Sequence, residues 1–91
     1  MTPLDNKLAE LRARFVQRSA EEVAAIDRAT AEEDREALIE RAHAIAGIAG
    51  LFGFGELGTA AADLEELGRA GGDIKEAAAR LRAMLAALAA H

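Results

Sequence analysis

Apolar residues recur at three- and four-residue intervals along most of the chain, the spacing of amphipathic helices. Leu4, Leu8, Leu11 and Phe15 form the first such stripe, opened by Thr2 as N-cap and Pro3 at the first helical position. Val23 and Ile26 resume the pattern after Ser19, which with Glu22 reads as a capping box. Either one long helix over roughly 4–29 or two shorter ones fit this pattern. Residues 30–34, TAEED, read as a connection. Asp34 then caps a helix whose stripe is Leu38, Ala42, Ile45, Ala49 and Phe52, ended by Gly53 and Gly55, one of them in the left-handed conformation. A further helix carries Leu57, Ala61, Leu64 and Leu67 and stops at Gly71-Gly72. The last, capped by Asp73 and Glu76, carries Ile74, Ala77, Leu81, Leu85 and Leu88. Short connections make successive helices antiparallel. The pattern therefore predicts an all-α, up-down four-helix bundle, with an additional N-terminal helix or a helical extension of the first.

Composition agrees. The 91 residues suit one domain, 1–91, and are 52% hydrophobic but only 3% aromatic, with too few strand formers for a sheet. The absence of cysteine excludes disulfides and thiolate metal sites. No secretory signal is expected at the N-terminus. No apolar run approaches the roughly 20 residues that span a bilayer, so a cytoplasmic protein without membrane attachment is expected. A net charge of −5 argues against a nucleic-acid partner.

One stretch departs from ordinary helical composition. Five of the eight glycines, Gly47, Gly50, Gly53, Gly55 and Gly58, fall within twelve residues, although each glycine inside a helix costs about 1 kcal/mol relative to alanine. A helical wheel centred on Ile45 places the core stripe within about 60° of it, but His43 and Gly47 about 160° away on either side and Gly50 about 140° away. His43 thus points outward, and the two helical glycines share its face. A bare strip beside an exposed imidazole lets a partner's backbone come close. Ile39, Ala46, Leu51 and Phe54 lie off the core stripe and suggest a docking surface around it. Glu36 and Glu40 sit on the histidine's side of the helix, solvated or able to orient the ring.

Other chemistries find little support. Ser19 is the chain's one serine, placed for capping, which argues against a Ser–His–Asp set. Glu40-Arg41-Ala42-His43 matches the Glu-x-x-His metal pattern, but without a second copy and facing outward, and His91 at the end is expected to fray. No metal or cofactor of its own is expected. Imidazole is a nucleophile whose nitrogen can carry a phosphoryl group. No GxxxxGK[ST] loop is present for ATP-dependent self-phosphorylation.

The stretch HAIAGIAGLFGFGELGTAAADLEE, His43 to Glu66, resembles the signature of histidine-containing phosphotransfer (HPt) domains, through His43, Ile45, Gly47, Gly53, Leu57 and the pair Leu64-Glu65. The preceding EDREALIERAH resembles the family's approach to its histidine, so that the resemblance covers about 34 to 66. It implies a four-helix bundle with the histidine exposed midway along a helix. It further implies that His43 accepts a phosphoryl group on Nε2 from a receiver-domain aspartate in a two-component phosphorelay and passes it to another, or back. Mg²⁺ and the acidic cluster would come from the response regulator. A hybrid sensor histidine kinase is a further possible partner, and the domain is expected to be monomeric. Ile39, Glu40, Ala46, Gly47, Gly50, Leu51 and Phe54 are the candidate partner-binding residues. Two departures stand out: Ala46 replaces a lysine common three residues after the family's histidine, and Ile48 occupies a position that is often small and polar. Two alternatives remain: a receiver-binding module that takes no phosphate, and a structural bundle whose glycine strip packs against another subunit.

Overall fold

The computed structural model describes residues 2–90, all-helical apart from turns; His91, expected to fray, lies outside them. Five helices follow in order: α1 (Pro3–Gln17), α2 (Ser19–Ala31), α3 (Arg35–Ala49), α4 (Gly55–Arg69) and α5 (Lys75–Ala89). Helices α2 to α5 form the bundle, in which α3 packs on α2 and α4, and α5 closes the ring against α2 and α4. No helix among the described residues is long and apolar enough to cross a membrane.

The core follows the stripes read from the sequence in part: Val23, Ala77 and Leu88 are only half-buried against it, and Ala29, Ala60 and Ala78 join it. Ile26, Leu38, Ala42, Ile45, Ala49, Leu57, Ala61, Leu64, Ile74, Leu81 and Leu85 are all buried in one cluster. Each stripe keeps the 3.6-residue period, so each helix presents one apolar face to the same interior. Across the outside, Arg82 grips Asp27 with two hydrogen bonds of 2.6 and 3.0 Å, tying α5 to α2. Arg41 donates to Glu22 at 2.9 Å, tying α3 to α2.

The N-terminal segment is two helices, meeting at Arg18, which itself keeps near-helical angles (φ −87°, ψ −3°). End to end, Pro3 to Ala31 at about 1.5 Å per residue gives about 43 Å, matching the molecule's longest dimension of 44 Å. Helix α1 therefore continues the line of α2 past the bundle's end. It is opened by Thr2, whose hydroxyl accepts from the Asp5 N–H while the Asp5 carboxylate accepts from the Thr2 N–H. No residue of α1 is fully buried. Leu4, expected in an apolar stripe, is 67% exposed. The attached end is held by Phe15, whose ring packs 5.8 Å from those of both Phe52 and Phe54, and by Arg12, whose Nε donates to the Phe52 carbonyl at 3.0 Å.

Several expected details change. Ser19 does not cap α2: it is buried and its hydroxyl donates to the Phe15 carbonyl. An N-cap needs non-helical backbone angles, and the chain at Arg18 does not leave the helical region. The connection expected over 30–34 is shorter, since α2 runs through Ala31. The reversal is made at Glu33, the one described non-glycine residue with positive φ (54°). Asp73 accepts from the Lys75 N–H rather than forming a capping box with Glu76, because Ile74 occupies the N-cap position. Leu67 is exposed and Gly68 is buried in its place, since a stripe of Leu57, Ala61 and Leu64 continues at 68 on a helical wheel. The Leu67 side chain instead covers Gly72 in the following turn.

Candidate functional site

Helix α3 is fixed at both ends. The Asp34 carboxylate accepts from the Ala37 N–H at 3.1 Å, satisfying a backbone donor that the first turn leaves open. At the other end Gly53 adopts φ +83°, a conformation glycine takes without steric cost. The Phe54 N–H then returns to the Ala49 carbonyl at 2.9 Å, and Phe52 drops into the interior. The helix between these ends is held by its buried stripe, Leu38, Ala42, Ile45 and Ala49. His43 stands on its outer side with a side chain 69% exposed.

Antiparallel packing lays α4 alongside. A side chain built at Gly58 would touch Gly50 N at 3.5 Å, Ala49 Cβ at 3.7 Å and Ala46 O at 3.9 Å. One built at Gly68 would fall 2.6 Å from Ile39 Cγ1. Small residues at both ends thus let the two backbones run close together. Between those points the seam brings Glu65 of α4 to His43 of α3, and His43 Nδ1 donates to Glu65 Oε2 at 2.7 Å. The same oxygen accepts from Arg69 Nε at 3.0 Å and Arg69 Nη2 at 2.8 Å, one helical turn further along α4.

The protonation pattern follows. The Arg69 guanidinium, and after it His43, hold the Glu65 carboxyl below the ordinary glutamate range, against the opposing effect of partial burial. An ionised carboxylate only accepts hydrogen bonds, so the ring proton resides on Nδ1. In the neutral ring the lone pair is then on Nε2. The hydrogen bond at one ring nitrogen sets the chemistry available at the other.

Of the two readings of Glu36 and Glu40, the solvated one holds. Glu36 and Glu40 are exposed and neither bonds to His43; the ring leans toward α4, whereas Glu40 borders the opposite groove, with Ala25 and Arg28 of α2. Glu65 was within the sequence signature as half of Leu64-Glu65, but nothing in the sequence showed which way it faces. Arg69 carried no signal beyond its i, i+4 spacing from Glu65.

The candidate partner-binding residues divide. Gly47 and Gly50 are exposed, and a side chain added at either would meet nothing within 4 Å. Glu40 is exposed as well. Ile39 and Ala46 are half-buried in the seam with α4. Leu51 is 63% exposed and belongs to a groove toward α1 and α2, with Ile48, Ala44, Leu11 and Phe15. Phe54 lies off the end of α3 under Arg12, whose guanidinium sits 4.6 Å from the ring centre.

The arrangement can present an unprotonated, oriented imidazole nitrogen to a reactant carried on another molecule's surface. The ring lies on an exposed helix face. A family model described as Hpt domain matches residues 10–91. No curated protein and no solved structure matches the chain.

Proposed function

Since the chain belongs to the Hpt domain family, whose members carry out histidine phosphotransfer in phosphorelays and interact with receiver domains and histidine kinases, we propose that His43 is its phosphoryl carrier. In this reading Nε2 accepts the group from a receiver's aspartyl phosphate and gives it to the aspartate of a second receiver, or back. The observation that carries the reading is the His43–Glu65 hydrogen bond beside an open glycine strip.

The Nε2 lone pair attacks phosphorus as the P–O bond to the receiver's aspartate breaks, and that bond's electron pair leaves with the aspartate carboxylate. The imidazole gains positive charge as the P–N bond forms, and the Glu65 carboxylate on Nδ1–H stabilises it. Donation to the next receiver runs the same path backward. Mg²⁺ and the acidic cluster belong to the receiver in this scheme. This chain contributes the nucleophile, its orientation and a surface that lets the two backbones approach, and it acts as a monomer.

The test is to incubate the protein with a phosphorylated receiver and look for acid-labile, base-stable phosphate. Label is expected on the wild type and absent from His43→Gln. Transfer that survives His43→Gln would refute the assignment. Ala46 favours a second reading, a domain that docks receivers without taking phosphate. Receiver binding with no label on the wild type would establish that one instead.

A further inference from the structure

We propose that Arg69, reaching across from α4, supplies the cation that holds a phosphoryl group on His43, in place of the lysine absent at position 46. The proposal rests on the phosphorelay reading of His43 above.

Charge around the ring shows the need. The neighbours of His43 at helical spacing on α3 are Ile39, Glu40, Ala46 and Gly47, three neutral and one acidic. The ring's own partner is the Glu65 carboxylate. A phosphoryl group on Nε2 adds between one and two negative charges to a place that α3 supplies with no positive one. Unopposed, that accumulation favours return of the group to the donor.

The other cations near α3 are paired or lie on its α2 side, where Arg18 and Arg28 line the grooves between α2 and α3. Arg41 is paired with Glu22 on the α2 side. Arg35 donates to the Gly68 carbonyl at 2.8 Å and stands about 12 Å along the helix axis from His43. Arg80 on α5 is paired with Asp63. Arg69 alone among the described cations shares a hydrogen-bond acceptor with the imidazole.

Its geometry suits the task. A guanidinium carries five N–H donors in a planar fork. The edge formed by Nε and Nη2 is on Glu65 Oε2. The Nη1 edge has no partner among the described residues. The side chain is 61% exposed, so its outer torsions can change without disturbing packing. Two edges allow Arg69 to hold carboxylate and phosphoryl oxygens together, which a point-charge ammonium does less well. Arg69 takes and gives no proton; the P–N bond forms and breaks at His43 as described above.

The experiment equilibrates the protein with a phosphorylated receiver and measures the fraction carried on His43, for wild type, Arg69→Gln, Arg69→Lys, Ala46→Lys and the double variant Arg69→Gln/Ala46→Lys. Expected is a five- to tenfold lower phosphohistidine-to-receiver ratio in Arg69→Gln, about the worth of one exposed charge-assisted hydrogen bond. Arg69→Lys should recover part of it. Ala46→Lys should restore the ratio in the Arg69→Gln background while adding little to wild type, and the ³¹P shift of the phosphohistidine should move in Arg69→Gln. An unchanged ratio in Arg69→Gln, or an equal gain from Ala46→Lys in both backgrounds, would overturn the proposal alone. A wild type that takes no label would overturn it together with the reading of His43.

Discussion

Replacing Gly47 separates the cost of the glycine strip from its use. A side chain at 47 points into open space, with no heavy atom within 4 Å of the position its Cβ would take. Alanine there loses no packing and restores helix propensity worth about 1 kcal/mol in a helix interior. Gly47 lies in the last turn of α3, where fraying reduces the effect, so roughly 0.5–1 kcal/mol is expected for Gly47→Ala. For a domain of this size each kcal/mol shifts the melting temperature by about 4–8 °C, so the gain is a rise of a few degrees, read by circular dichroism. Gly47→Leu should melt at or above the wild-type temperature for the same reason, yet stop phosphotransfer from a receiver, since its side chain stands one turn from His43 on the approach face. Gly68→Ala is the control of opposite sign. Its Cβ would sit 2.6 Å from Ile39 Cγ1 and 2.9 Å from Cδ1, and overpacking of about 1–3 kcal/mol exceeds the propensity gained. Two helical glycines, given the same substitution, should therefore move stability in opposite directions. A lowered melting temperature for Gly47→Ala would refute the outward placement of the strip. Wild-type transfer by Gly47→Leu would refute its role as clearance for a partner.

Two other perturbations follow from the ion pairs. Glu65→Gln removes the charge that fixes the Nδ1–H tautomer, so ¹⁵N spectra of His43 should show mixed tautomers where wild type shows one, and the phosphotransfer rate should fall on the order of tenfold; an unchanged tautomer would show that Glu65 does not set the ring. Asp27 is held below its ordinary value of 3.8 by its hydrogen bonds to Arg82. A depressed folded value means stability that is fully present above the unfolded value and lost as pH falls through the folded one. The stability difference between wild type and Asp27→Asn, from urea melts, should therefore be constant above about pH 5 and shrink below about pH 4; a difference independent of pH would mean that the pair contributes nothing electrostatic.

Local periodicity carried most of the fold. Leu38, Ala42, Ile45 and Ala49 were legible as one face because a helix buried on one side must repeat apolar residues at its own period, and all four are buried; Phe52, expected on the same face, is buried from the turn past the helix end. The outward face of His43 followed from the same angles. Thr2 and Asp34 were legible as caps because each precedes a helix in non-helical geometry. Ser19 carried the same local signal and was misleading, since whether the chain leaves the helix at Arg18 depends on what α1 and α2 pack against. Glu65 was missed for a related reason. Its pairing with His43 is a contact between residues 22 apart, set by the register of two helices that no single-helix wheel contains.

That register links the bundle's stability to its chemistry. The residues closing the α3–α4 seam, Ala46, Ala49, Gly50 and Gly58 at one end and Ile39 with Gly68 at the other, neither donate to nor accept from the ring. They fix the separation of two backbones from which His43 and Glu65 each extend one side chain to a 2.7 Å contact. Widening the seam by the width of a methyl group would exceed the reach of that hydrogen bond, whose strength falls steeply beyond about 3.2 Å. The proton on Nδ1 would then lose its acceptor, and both ring nitrogens would compete for it. Position 46 shows the other side of the constraint. Half-buried beside the α4 backbone, it is filled by a side chain small enough to keep the helices close. Arg69 starts from the far side of the seam with its guanidinium already on Glu65. The same register of α4 against α3 thus sets both the orientation of the nucleophile by Glu65 and the place of Arg69 beside it.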